Sequence, residues 1–332
     1  MSKIKLSVVI PVYGAPRLTP LLYERLVAAL SPWADFELIM VNDACPLGSG
    51  LEIEKLAAAD ARVKYIDLLR NYGQHVAISV GLDYADGDYV VVMDCDLQDQ
   101  PEEIKKMYDQ LESGGYDAVF AVRGNRQDAW RKRFCSKCFR LVYNLLLEDA
   151  LWADKETANF SVITRRTAAA YRRFGEKERL YGAIIARIVP EIALVEVAHA
   201  ARPALGGGSA YSLRKSVKLA AGAIIANSNR PLIFSVYCAL GLFVLAFFFA
   251  AKVVASYFLY GSPVMGWPST IVALCFFFGL QMLFLGVLGA YVGNIALESK
   301  RRPLYLVSKT LNAGKEVSEA PQSAPTSRQA NS

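Results

Sequence analysis

Two carboxylates separated by one residue follow an apolar run in the first third of the chain. The run Val90–Met93 leads into Asp94 and Asp96, and Gln98 continues the same spacing. In an extended chain, side chains at positions i and i+2 point to the same side. Carboxylates with an open coordination sphere suit a hard divalent cation, which can neutralise the charge on a diphosphate. The pattern therefore indicates a metal site for nucleotide chemistry.

A simpler interpretation of the same stretch is a polar turn whose acids cap the helix that follows. Asp99 precedes Gln100 and Pro101, and proline in a first turn with an acid close behind is typical of a helix start. We expect Asp99 to be the N-cap of that helix. Asp94 and Asp96 come before the predicted cap, so the metal interpretation applies mainly to them.

Another carboxylate, Asp43, follows the apolar run Phe36–Asn42. At the end of a strand it could accept hydrogen bonds from a nucleotide base or ribose. The alternative, which the sequence leaves equally open, is an Asx turn before Pro46.

Basic residues are concentrated between positions 123 and 137. They are Arg123, Arg126, Arg131, Lys132, Arg133 and Lys137. Guanidinium and ammonium groups bind phosphate oxygens, so this cluster could hold a diphosphate donor and a phosphate acceptor. A solvated basic face near lipid headgroups is the other interpretation. Nucleic acid is not an expected partner, because no aromatic residues interleave with a basic groove.

The elements that must position these residues alternate between strand and helix. Strands are predicted over 6–12, 36–42, 63–68, 89–93 and 118–122, and helices over 18–30, 74–85 and from Pro101 to about Leu111. This alternation predicts an α/β fold with a mostly parallel sheet and helices on both faces. Ligands bind such sheets beyond the carboxyl ends of the strands. Chemistry is therefore expected near residues 11–14, 42–44, 94–99 and 121–126.

Two long charge-free runs lie in the last third of the chain. They predict transmembrane helices at 230–258 and 269–297, since a bilayer core needs about 20 apolar residues as helix. The connecting loop is uncharged and both outer flanks carry Lys and Arg, which places the rest of the chain in the cytoplasm. We expect a catalytic domain at 1–212, an amphipathic interface helix at 213–229 and a tail at 298–332 with a disordered end.

Several short stretches resemble the family 2 glycosyltransferases of the GT-A fold. Within that family the chain is similar to the polyprenyl-phosphate group: dolichol-phosphate mannose synthases, bactoprenol glucosyltransferases and undecaprenyl-phosphate 4-deoxy-4-formamido-L-arabinose transferases. The matching stretches are 7–13, 70–75, 94–99, 125–130, 230–232 and 288–294. The resemblance runs from about residue 5 to 308 and implies a GT-A catalytic domain followed by two transmembrane helices.

The resemblance also implies roles for individual residues. Mg²⁺ or Mn²⁺ would be held by Asp94, Asp96 and Gln98, and the nucleotide would be lined by Pro11, Tyr13 and Asp43. The phosphates of donor and acceptor would be met by Arg123, Arg133 and Lys137. Asp94, Asp96 and Arg123 would be the catalytic residues.

The implied reaction is an inverting transfer from a nucleotide-sugar, favoured to be a UDP-sugar, to undecaprenyl phosphate. It would serve a cell-envelope glycan or a lipid A modification at the bacterial inner membrane. Homo-oligomers, often tetramers, are usual in the group, and the membrane lipid is a further partner.

Two other functions stay open at this point. A processive polysaccharide synthase is one, although such enzymes usually have more spans and a Gln-x-x-Arg-Trp motif that this chain lacks. A non-catalytic membrane protein that binds nucleotide-sugars or scaffolds an envelope complex is the other. Gly14 and Ala15 stand where the family commonly has Asn-Glu, and this departure keeps the second alternative open.

Overall fold

The structure, a computed structural model, describes residues 4–123, 157–176, 179–198, 230–260, 266–300 and 302–314. The chain forms two compact units. The first comprises Met1–Trp130, Leu151–Ala210 and Arg302–Ser332, and the second comprises Arg131–Ala150 and Tyr211–Arg301. Among the predicted segments, the interface helix at 213–229 and most of the C-terminal tail lie outside the described residues.

The first unit is built on one sheet, in which eight strands are described. In chain order they are β1 (Ile4–Val12), β2 (Ala34–Asn42), β3 (Val63–Leu68), β4 (Tyr89–Val92), β5 (Ala118–Arg123), β6 (Thr157–Thr164), β7 (Ala193–Val197) and β8 (Val307–Leu311). Their order across the sheet is β7-β5-β6-β4-β1-β2-β3-β8.

The sheet is mostly parallel, as the sequence predicts. β1 pairs in parallel with β2 and β4, β2 with β3, and β5 with β7. Antiparallel pairing is confined to β6, which lies between β4 and β5, and to β8 beside β3. The carboxyl ends of β1 to β4 therefore meet at one edge, where the candidate residues of the sequence are found.

Helices cover the sheet between the strands. Those described in this unit are α1 (Leu18–Leu30), α2 (Ser49–Ala59), α3 (Gln74–Asp83), α4 (Ile104–Gly114), α5 (Arg165–Arg172) and α6 (Tyr181–Ile188). Leu18, Leu22, Leu26 and Leu30 of α1 recur every four residues and are all buried, because this spacing places them on one helical face.

Both faces of the sheet are buried, which explains its nearly continuous apolar strands. Along β1, Val8 and Ile10 belong to one hydrophobic core cluster, whereas Val9 belongs to the other. Each of these side chains is fully inaccessible to solvent. The period of two along the strand thus assigns alternate residues to opposite layers of helices.

The prediction that Asp99 caps the next helix is wrong. A short 3₁₀ turn, Pro101–Glu103, precedes α4, and its N-cap is Gln100, with no side-chain cap hydrogen bond. Asp99 is instead buried, with 1% of its surface exposed. Its carboxylate points into the protein because neighbouring residues of this stretch alternate between inside and outside.

The described part of the second unit consists of two long helices, α7 (Arg230–Tyr260) and α8 (Trp267–Ser299). Each contains one of the predicted spans. Among the described residues, one helical stretch is long and apolar enough to cross a membrane, Phe276–Ala296 in α8, while α7 contributes the shorter apolar stretch Leu232–Leu242.

Helix α3 packs closely on β1 at Gly81, where an added methyl group would overlap the side chain of Val9. Overpacking of this kind costs about 1–3 kcal/mol. We expect Gly81→Ala to lower the midpoint of thermal unfolding in detergent by several degrees. Gly175→Ala is the matched control, because an added Cβ there meets no atom within 4 Å. Equal midpoints for the two variants would contradict the prediction.

Candidate functional site

The stretch after β4 exposes every second side chain. Asp94, Asp96 and Gln98 are partly exposed, whereas Cys95, Leu97 and Asp99 are buried. The stretch is not extended, because it turns at residues 95–96 and Leu97 adopts a left-handed φ of 61°. A non-glycine residue in this conformation stores local strain, which is common at functional sites. The two carboxylates nevertheless share the accessible side of the loop.

Each of these carboxylates is oriented by a hydrogen bond. The side-chain amide of Gln74 donates to Oδ1 of Asp94 in a short contact. The backbone N–H of Gln98 donates to Oδ1 of Asp96 at 3.1 Å. Because Gln74 is the first residue of α3, the position of that helix fixes the orientation of Asp94.

Asp43 is tied to the same region from the neighbouring strand. Its two carboxylate oxygens accept the backbone N–H groups of Tyr72 and Gly73, at 2.7 and 2.9 Å. Burial raises the pKa of Asp43, and these two donors oppose that shift. Before Pro46 it is the neighbouring Asn42 whose Oδ1 accepts the backbone N–H of Cys45, three residues along the chain, at 3.3 Å. Asp43 therefore fixes the loop between β3 and α3.

The ends of β1 and β2 are joined through Cys45. Its Sγ accepts hydrogen bonds from the backbone N–H of Gly14 at 3.1 Å and from the Ser49 hydroxyl at 3.3 Å. Partial burial raises the pKa of the Cys45 thiol, but the hydrogen bonds outweigh it and the net pKa is lowered. The sequence gives no sign of this role, since a single cysteine carries no pattern.

The remaining predicted residues are less closely grouped. Pro11 is buried within β1, and Tyr13 follows it with 52% of its surface exposed. Arg123 ends β5, which β6 separates from β4. Arg133 and Lys137 lie outside the described residues.

The metal prediction can be compared with the donor groups present. In the described parts of the chain, three His, Cys, Asp or Glu side chains never come together in a cluster that could hold an ion. Two carboxylates are nevertheless the number that Mg²⁺ commonly takes from a protein, the other positions being filled by water and substrate phosphates. Asp94 and Asp96, with Gln98 beside them, fit such an ion when a diphosphate supplies the remaining oxygens.

Two titratable side chains near the site are held in their uncharged forms. Burial lowers the pKa of His75, so its ring is neutral at pH 7, and its Nδ1 accepts the N–H of Tyr181 at 3.4 Å. Burial also raises the pKa of Cys95 to about 12, so this thiol stays protonated. Within the described residues, the site offers carboxylates and amides for binding charge.

Replacing the Asp43 carboxylate should loosen the loop that it holds. In Asp43→Asn the amide nitrogen would face one of the two N–H groups, and an unsatisfied buried donor costs about 1–3 kcal/mol. We expect faster hydrogen exchange at Tyr72 and Gly73, measured by mass spectrometry of peptides that cover the loop. Asp35→Asn is the control, because Asp35 is an exposed residue of β2, the strand that Asp43 follows. Unchanged exchange in Asp43→Asn would contradict the anchoring role.

The chain is similar in sequence to known proteins over most of its length. The sequence profile described as glycosyl transferase family 2 matches residues 7–174. The bactoprenol glucosyl transferase of Shigella phage SfV is 31% identical over 308 residues, covering 91% of this chain and 98% of the relative. The undecaprenyl-phosphate 4-deoxy-4-formamido-L-arabinose transferase of Proteus mirabilis is 32% identical over 326 residues, covering 94% and 95%.

One solved structure is also similar, a glucosyl-3-phosphoglycerate synthase from Mycobacterium tuberculosis in complex with Mn²⁺, UDP-glucose and phosphoglyceric acid. The likeness has a TM-score of 0.46 and 18% identity, and it covers 67% of this chain and 78% of that one. The family profile matches half of this chain, and the two relatives align with it over almost their whole length. The chain belongs to glycosyl transferase family 2 and is a glycosyltransferase.

Proposed function

We propose that this chain transfers one sugar from a nucleoside diphosphate donor to a polyprenyl phosphate at the cytoplasmic face of a membrane. Two relatives named for transfer to bactoprenol or undecaprenyl phosphate support the acceptor, because the similarity extends over more than nine tenths of each chain. The alignments therefore include the C-terminal helices as well as the catalytic sheet. A UDP-sugar is the donor that this resemblance favours.

The observation that carries the proposal is the pair of partly exposed carboxylates after β4, oriented beside the ends of the neighbouring strands. In the proposed complex, Asp94, Asp96 and Gln98 hold Mg²⁺ or Mn²⁺. When bound, the ion supplies positive charge that stabilises the departing nucleoside diphosphate. Asp94 accepts the Gln74 amide, which holds the carboxylate in one orientation before the donor arrives.

The nucleotide is proposed to lie along the ends of β1 and β2, lined by Pro11, Tyr13 and Asp43. A carboxylate has about four acceptor positions, and the loop N–H groups use two of those on Asp43. A base or ribose could donate to the others. Tyr13, which is half exposed, offers an aromatic surface at the same edge.

The acceptor phosphate needs little activation by the protein. A phosphate monoester has a second pKa near about 6 and is mostly dianionic at neutral pH, so its oxygen can attack the anomeric carbon directly. A single displacement of this kind inverts the anomeric configuration. The barrier then falls through positioning and charge stabilisation, so the proposed step needs no general base. Arg123, Arg133 and Lys137 are proposed to bind the phosphates.

Both long helices are proposed to span the membrane, with the catalytic unit on the cytoplasmic side. Arg230 begins α7 and Lys300 follows α8, so basic residues flank the same side of the helix pair. An interface helix at 213–229 would hold the active site near the acceptor's headgroup. Assembly into a homo-oligomer and a role in the cell envelope stay predictions.

Loss of either carboxylate should remove transfer. We expect Asp94→Asn and Asp96→Ala to lower kcat/KM by at least about 100-fold, since metal-ion charge stabilisation amounts to several kcal/mol. The assay uses purified protein, a panel of nucleotide-sugars, undecaprenyl phosphate and Mg²⁺ or Mn²⁺, with the lipid product weighed by mass spectrometry. Asp109→Asn on α4 is the control, because Asp109 is exposed on the helix surface and pairs with Lys105 of the same helix.

Several outcomes would contradict the proposal. Full activity of Asp96→Ala at saturating metal would exclude the metal role. A long polymer as the product would favour a processive synthase. The absence of donor turnover with every nucleotide-sugar, together with tight nucleotide binding, would favour a binding or scaffold protein.

A further inference from the structure

The segment 302–311, which follows α8 in the chain, contacts Asp83, the last residue of α3, and also Tyr72 and Leu69 in the loop before that helix. We propose that this segment acts as a clamp that positions Gln74, and through it Asp94, with Tyr72 and Tyr305 as the positioning residues. The inference rests on the proposed metal role of Asp94. It makes metal binding depend on residues outside the Asp94 motif, because the clamp lies more than 200 residues after α3 in the sequence.

Two adjacent residues make the clamp contacts. The Tyr305 hydroxyl donates to Oδ2 of Asp83, the last residue of α3, at 2.8 Å. The backbone N–H of Leu306 donates to the Tyr72 hydroxyl at 3.1 Å, and its carbonyl accepts the N–H of Leu69 at 3.0 Å. One short stretch therefore holds the residues just before α3 and the residue that ends it.

The loop that the clamp holds carries the contacts to the predicted site. Tyr72 and Gly73 donate their N–H groups to Asp43, and Gln74 donates its amide to Asp94. Gly73 has a φ of 93°, a conformation that glycine adopts readily and other residues rarely do. A shift of Tyr72 would therefore move its own N–H away from Asp43 and would reach Asp94 through Gly73 and Gln74.

The clamp is itself fixed to the sheet. β8 pairs antiparallel with β3, with Leu311 beside Tyr65 and Thr310 beside Ile66. Beyond the strand, the Asn312 side chain donates to the carbonyls of Ala57 and Val63, at 2.6 and 3.0 Å. The segment is thus attached to the first unit by contacts that do not involve α3.

The other contacts of α3 hold the helix against the sheet. Gly81 packs directly on Val9 of β1, so the helix cannot rotate without disturbing the sheet. The clamp bonds Asp83 at the C-terminal end of α3 and the hydroxyl of Tyr72, which lies two residues before the N-terminal end. Releasing one end should therefore displace the Gln74 amide, while most of the hydrophobic contacts of α3 stay in place.

The test uses the full-length protein in detergent with Mn²⁺ and UDP as probes. We expect Tyr305→Phe and Tyr72→Phe to weaken Mn²⁺ affinity in the presence of UDP by about 3- to 10-fold, since partners of metal ligands contribute about 10- to 100-fold. Affinity is measured by electron paramagnetic resonance of free Mn²⁺. Hydrogen exchange in the loop should rise in the same variants. Lys309→Gln is the control, because Lys309 lies on β8 and pairs with Glu54 rather than with α3.

A double-mutant cycle separates positioning from a general loss of stability. If the clamp acts through Gln74, Tyr305→Phe should weaken Mn²⁺ affinity much less in a Gln74→Ala background than in the wild type. Additive effects would overturn the inference. The inference would also be overturned if Tyr305→Phe and Tyr72→Phe bound Mn²⁺ as tightly as Lys309→Gln does, even if their melting temperatures were lower.

The two proposals can fail separately. If Asp94→Asn keeps both wild-type Mn²⁺ affinity and wild-type transfer, the proposed function is wrong and the clamp has no metal site to support. If Asp94→Asn loses both while the two tyrosine variants match the control, the proposed function stands and the clamp alone is refuted.

Discussion

One buried carboxylate holds the candidate site together. Asp43 directly follows β2 and accepts two backbone N–H groups from the loop between β3 and α3. Buried backbone donors must find partners, and a carboxylate at this point satisfies two of them at once. The loop is thereby fixed in a conformation that brings Gln74 to Asp94. The geometry around the predicted metal ligands therefore depends on a residue that is not itself one of them.

The parallel sheet explains why such contacts arise between residues far apart in sequence. Val9 of β1 lies beside Ile39 of β2 and Val92 of β4, so these strands end at one edge of the sheet. Polar residues that follow neighbouring strands are then within reach of one another. A glycosyltransferase that must bind a base, a diphosphate and an ion can take each group from a different strand, which is how ligands generally bind open α/β sheets.

The strands and helices of this sheet can be predicted from sequence because their signals are local. The β-branched run of β1 and the four-residue leucine period of α1 each determine one element. Side-chain partners are not local. Asn42 rather than Asp43 accepts the N–H of Cys45 before Pro46, whereas Asp43 accepts N–H groups from the loop before α3. The Gln74–Asp94 contact depends on where α3 packs against the sheet, and a short sequence motif does not determine that packing.

After α8 the chain adds one more strand, β8, to the edge of the sheet. A strand added antiparallel to the edge of a parallel sheet covers exposed backbone groups, and β8 does this for β3. Edge protection alone, however, does not require a tyrosine aimed at the end of α3. Tyr305 makes that bond with a phenol whose pKa is raised by burial and by Asp83, so it remains a donor at any physiological pH. The fold thus uses the segment after the second hydrophobic helix to support the helix that orients Asp94.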